Sequence, residues 1–122
     1  MADSERLRVL DAARRYGDRC IDVAQSLPRA APTGLRTQLI ESAQAVSRIL
    51  AEGFGRLTNA EKIHYARMAN GTLEESQDCL RRCVNRGLID RKTFFELWNL
   101  SVAISRMLLS LIARLQRGEP ID

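Results

Sequence analysis

Apolar residues recur at spacings of three and four along most of this chain, the signature of helices with one buried face. The first stripe is Leu7, Leu10, Ala13, Gly17, Cys20, Ala24 and Leu27, with Arg6, Arg14, Arg15, Asp18, Arg19 and Asp22 largely off it. It predicts a helix over about 4–26, capped by Asp3 or Ser4 and broken by Leu27-Pro28-Arg29-Ala30-Ala31-Pro32, because proline disfavours helix at the residue before it. A second stripe, Leu35, Leu39, Ala43, Val46, Leu50 and Gly53, widened by Ile40, Ile49 and Phe54, predicts a helix over 34–53. Thr33 or Gly34 opens it, and Gly53 and Gly55 end it. Thr58 with Glu61 three residues on has the spacing of a capping box, so a third helix is expected over 59–86, with Ile63, Ala66, Ala69, Leu73, Leu80 and Val84 inward. Gly87 is suited to a left-handed C-cap. Gly71 lies inside that helix, where it costs about 1 kcal/mol relative to alanine; a close helix approach would explain it. Asp90 caps a fourth helix over 91–117, before Gly118 and Pro120.

The fourth helix is apolar on more than one side. Phe94, Leu97, Trp98, Ile104, Met107, Leu108, Leu111, Ile112 and Leu115 make one set, while Phe95, Leu100, Val102 and Leu109 widen it. One stripe serves a core; a second surface asks for a partner. Phe95, Val102 and Leu109 are therefore the candidate contact with another copy of the chain. Four helices with short connections fold by default as an antiparallel up-down-up-down four-helix bundle, an all-α single domain over 1–122 with a frayed tail at 118–122.

Composition supports helices: 45% of the 122 residues are hydrophobic, 28% charged and only 5% aromatic. Strands favour β-branched and aromatic residues instead. Cys20, Cys79 and Cys83 are too few and unevenly spaced for a disulfide framework. MADSERLRVLDAARRYG is too charged for a signal peptide, and no apolar run approaches the ~20 residues of a membrane span. A cytoplasmic protein without a membrane partner is expected.

The net charge is +4, and the cations are nearly all arginine, Lys62 and Lys92 being the two lysines. Arginine binds phosphates and carboxylates through two parallel hydrogen bonds. The cations gather at Arg14, Arg15 and Arg19, at Arg106, Arg114 and Arg117, and most densely at Arg81, Arg82, Arg86, Arg91 and Lys92, interrupted among the acids only by Asp90. That last group is the candidate phosphate-binding site. The alternative is that these arginines pair with Glu41, Glu74, Glu75 or Asp78.

Catalytic and metal chemistry find little support. Cys79 and Cys83 share a helix face, but His64 lies about 22 Å away along the axis, too far to complete a zinc site. Glu52, Glu74 and Glu75 lack the histidine, serine or lysine that acid–base chemistry would need beside them. Glu52 is better placed to pair with Arg56 or Arg67 where the second and third helices meet. No phosphate-binding loop, dinucleotide glycine pattern, nucleophile elbow or zinc-protease motif is present. No cofactor and no enzymatic activity are expected.

Leu27-Pro28, Gln38-Leu39 and Ala51-Glu52-Gly53-Phe54-Gly55-Arg56, followed by Ala69-Asn70-Gly71-Thr72-Leu73-Glu74-Glu75 and Gly87-Leu88-Ile89, resemble the bacterial four-helix-bundle family of 23S rRNA intervening-sequence proteins. Ala-Glu-Gly after a helical stripe and the Ala-x-Gly-Thr-Leu-x-Glu run carry most of the likeness. The sequence departs from it at Ile49, where the family usually has Asn, and at Ala45, where Ser is common. The resemblance implies a bundle that assembles as a ring, typically a homopentamer, whose members occur in intervening sequences of ribosomal RNA genes. A related branch, accessory proteins of diversity-generating retroelements, binds nucleic acid and partners a reverse transcriptase. Glu52, Gly53 and Arg56 at the corner, with Gly71 and Glu75 on the third helix, are the candidate structural positions. Two functions stay open: a nucleic-acid-associated accessory protein, or a scaffold ring whose ligand is another protein.

Overall fold

The computed structural model describes residues 4–121, so the expected cap at Asp3 lies outside the described residues. Four helices fill it: α1 (Glu5–Gln25), α2 (Leu35–Phe54), α3 (Asn59–Asn85) and α4 (Arg91–Gln116). Each start has a local cause. Ser4 accepts from the Leu7 amide, Thr58 from Glu61 and Asp90 from Thr93, satisfying donors that the first turn leaves free. Glu61 closes its box on the Thr58 hydroxyl, which donates to its carboxylate at 3.0 Å. α2 instead begins behind Gly34 in the left-handed region, φ 88°, with no side-chain cap.

Helix ends are equally specific. Gly87 has φ 71°, and the amides of Gly87 and Leu88 reach the carbonyls of Val84 and Cys83 at 3.1 and 2.9 Å, a full Schellman closure. α2 runs past Gly53 to Phe54, because Gly53 is helical and Gly55 caps with an ordinary φ of −83°. Arg36 secures the first connection by donating to the carbonyls of Ala24 and Leu27 at 2.9 and 2.7 Å, at the end of α1 where carbonyls run out of helical amide partners.

The helices alternate in direction, and each packs on its two neighbours: α1 on α2, α2 on α3, α3 on α4, and α4 back on α1. The α1–α2 and α3–α4 connections share one end of the bundle, and the α2–α3 connection lies at the other with the start of α1 and the end of α4. Leu10, Ala13, Leu39, Val46, Leu73, Leu80, Leu97, Ile104 and Leu108 fill the centre. The diagonal helices α1 and α3 meet through side chains: buried Tyr16 shares a 2.6 Å hydrogen bond with Ser76, which donates onward to the Leu73 carbonyl at 2.6 Å. Tyr16 is therefore a core residue that the α1 stripe omitted. Leu7 and Met107, expected inward, are exposed instead; both lie on the outer α1–α4 seam beside Arg8 and Arg14. α4 alone among the described helices is long and apolar enough to cross a membrane, contrary to the sequence expectation, but Leu97, Ile104, Leu108, Leu111 and Leu115 are buried in the bundle.

Candidate nucleic-acid interface

Adjacent positions on a helix point about 100° apart, and this divides the dense arginine group. Arg81 faces α4, with its guanidinium 4.5 Å above the Trp98 ring. Arg82 turns toward α2, donating to Gln38 at 2.7 Å and pairing with Asp78 at 3.5 Å. Of the acids considered as partners, only Asp78 is engaged in this way among the described residues. Arg86, Arg91 and Lys92 are exposed around the connection between α3 and α4, and no carboxylate lies within ion-pair distance of them among the described residues.

The nearby acids are already committed. Asp90 accepts from the Thr93 amide at 2.8 Å, and its hydrogen bonds to Thr93 hold its carboxyl below the usual range. Glu96 takes two hydrogen bonds from Arg19, at 3.0 and 2.8 Å. The antiparallel topology adds a cation that sequence proximity did not reveal. Arg29, in the connection after α1, belongs to the same end of the bundle and is exposed. This end therefore carries Arg29, Arg81, Arg86, Arg91 and Lys92, while Arg82 belongs to the side.

That side has the opposite charge. A groove of about 540 Å³ between α2 and α3 is lined by Glu41, Glu74, Glu75 and Asp78, with Arg82 as its cation and Gly71 on its wall. A β-carbon on Gly71 would meet nothing within 4 Å. The expected close helix approach is absent: Gly71 looks onto solvent. Close approach occurs at Gly53, where an added β-carbon would lie 2.4 Å from the Tyr65 β-carbon.

Beside Gly53, Glu52 pairs with Arg56 at 3.0 Å and accepts from the Tyr65 hydroxyl at 3.2 Å. Arg56 donates to the same hydroxyl at 2.5 Å. Glu52 is thus paired as expected but half exposed, and Tyr65 is the partner that sequence spacing missed. This triad joins α2 to α3 and offers no open nucleophile or acid–base pair.

The cysteines are structural. Cys20, Cys79 and Cys83 are buried and unbridged, and burial pushes the Cys20 and Cys83 thiols up to about 12 and 11. His64 is exposed, and no group of three His, Cys, Asp or Glu side chains among the described residues could hold a metal. Phe95 and Leu109 are 53% and 56% exposed, and Val102, between them on the same helix face, is partly buried.

Comparison with known proteins agrees with this architecture. The family model for 23S rRNA-intervening sequence protein matches residues 5–110. Among solved structures, a protein of unknown function from the S23 ribosomal protein family of Bacteroides thetaiotaomicron superposes with a TM-score of 0.80 at 19% identity, covering 85% of this chain and 97% of that one. At that identity the likeness establishes the fold. A comparison with functionally curated proteins found no match.

Proposed function

We propose that this chain, which belongs to the family of 23S rRNA-intervening sequence proteins, is a non-enzymatic accessory protein that holds the backbone of RNA or DNA against the arginine-bearing end of its bundle. The observation that carries this reading is the set Arg29, Arg86 and Arg91: exposed cations at one end of the fold, with the adjacent acids Asp90 and Glu96 tied to Thr93 and Arg19. Phosphate contacts of this kind position a nucleic acid and contribute affinity without reading sequence. The acidic groove between α2 and α3 repels a polyanion, so it orients the ligand toward the end. The reading takes the protein as cytoplasmic and free of the membrane, with the long apolar side of α4 spent on the core.

Self-assembly belongs to the same reading. Val102 and Leu109 give α4 an apolar outer line suited to a second copy, and a pentameric ring would repeat the basic end around its axis. Modest affinity per subunit would then add through multivalency. Charge introduced at Val102 and Leu109 is expected to reduce the assembly to monomers in sedimentation velocity; an unchanged sedimentation coefficient would remove α4 from the interface.

The same exposed line favours a second reading, a scaffold ring that binds another protein. Fluorescence anisotropy with a labelled RNA stem-loop and a matched DNA duplex separates the two. Binding that weakens steeply with salt and disappears in the Arg86→Glu/Arg91→Glu variant supports the nucleic-acid reading. Absence of binding at low salt leaves the scaffold.

A further inference from the structure

The end of the bundle that bears the unpaired arginines also bears three of the chain's six Phe, Tyr and Trp rings. Two of its three phenylalanines and its single tryptophan lie between positions 94 and 98. Phe94 stacks on Trp98 with centroids 5.5 Å apart and planes at 23°, and Phe95 packs edge-on against Phe94 at 5.3 Å and 72°. Arg81 covers Trp98 at 4.5 Å. Phe94 and Trp98 are half-buried in this arrangement, whereas Phe95 stays 53% exposed. Its ring rests on that of Phe94 and is open to solvent. Arg91 lies four residues earlier, one turn away on the same face, so a free guanidinium flanks the open ring on α4 and the stacked Arg81 borders the cluster from α3.

We infer that this corner is a binding site for single-stranded nucleic acid, in which an unpaired base stacks on Phe95 while Arg91 and Arg81 hold the adjoining phosphates. The inference rests on the backbone-binding reading above and sharpens it from nucleic acid in general to unpaired strands. Its chemistry is that of single-strand binders generally: an aromatic face accepts any base, and neighbouring cations follow the backbone. A duplex keeps its internal bases stacked on each other and offers Phe95 only the faces of its terminal pairs. The arrangement also divides the outer line of α4. Val102 and Leu109 remain for a second copy, and Phe95, at the cationic end, is left for the base.

Trp98 is the chain's only tryptophan, so its fluorescence reports on this corner alone. The unmodified protein is titrated with a short oligoadenylate and with a blunt RNA duplex of equal length. The expected result is quenching of Trp98 by the single strand, a roughly tenfold to hundredfold loss of affinity in Phe95→Ala, and recovery in Phe95→Tyr. If the duplex binds with salt-sensitive affinity while Phe95→Ala changes single-strand affinity not at all, the base-stacking inference is overturned and the backbone reading survives. If neither nucleic acid binds at low salt, both fall. If Phe95→Ala dissolves the assembly in sedimentation velocity and leaves single-strand affinity intact, Phe95 belongs to the subunit contact and the inference is again overturned.

Discussion

Replacing Gly53 by alanine sets two effects against each other. Alanine is the better helix former by about 1 kcal/mol, and Gly53 lies within α2 at an ordinary helical geometry, so propensity alone predicts a gain. Packing predicts a loss. The new β-carbon would lie 2.4 Å from the Tyr65 β-carbon and 3.2 Å from its Cγ, against an optimal carbon–carbon separation of about 3.5–4.0 Å. More than about 1 Å of separation must therefore be found. A rotamer change cannot supply it, since the clash is with the atom attached to the α3 backbone. The Tyr65 ring is also tethered by Glu52 and Arg56. Over-packing of this size costs about 1–3 kcal/mol, so the net expectation is a destabilisation of up to about 2 kcal/mol after the propensity gain. Gly71→Ala is the matched control, for nothing lies within 4 Å of its added carbon, and it should gain up to about 1 kcal/mol. Urea denaturation followed by far-UV circular dichroism, at one fixed protein concentration because assembly contributes to stability, reads both. The same chemical change should move the midpoint in opposite directions. A Gly53→Ala midpoint at or above that of the unmodified protein would refute the packing argument.

The buried hydrogen-bond chain offers another test. Ser76→Ala strands the Tyr16 hydroxyl in the core and should cost about 1–3 kcal/mol, whereas Tyr16→Phe leaves Ser76 its Leu73 carbonyl and should cost nearer 1 kcal/mol; equal losses in urea melts would contradict the assigned donor order. Alkaline pH should also weaken the fold. Burial raises the Cys20 thiol from 9.0 to about 12, so the unfolded chain ionises first and the stabilising protonated state is lost as pH climbs through that window. Stability should hold below pH 9 and then fall by up to about 1.4 kcal/mol per pH unit for this group. Cys20→Ala should flatten that slope, and a midpoint independent of pH from 9 to 11 would oppose it.

Local signals carried the helix boundaries: Ser4, Thr58, Asp90 and Gly87 act where their chemistry says they should, because a cap is settled within four residues. What failed to show in the sequence depends on what the fold brings together. Tyr16 finds Ser76 sixty residues away, and nothing in the α1 stripe marks a hydroxyl-bearing ring as central. A helical glycine is silent about its surroundings, so Gly53 and Gly71 looked alike although one meets Tyr65 and the other meets solvent. The arginine group was legible as a cluster in sequence, yet Arg82 leaves it because neighbouring side chains diverge around a helix. Arg29 joins it only because α1 and α3 end at the same pole. Leu7 and Met107 sit at the margins of their stripes, where a few tens of degrees decide burial.

The central claim, a phosphate-binding end built from unpaired arginines, is tested most directly by the slope of log affinity against log salt for a labelled DNA duplex. Each phosphate contact contributes about 0.9 to the magnitude of that slope for a duplex. The Arg86→Glu/Arg91→Glu variant should therefore bind more weakly and lose about 1.8 from the slope, while Arg106→Glu on the outer face of α4 leaves it unchanged. A slope that is the same in the corner variant and the unmodified protein would contradict the account.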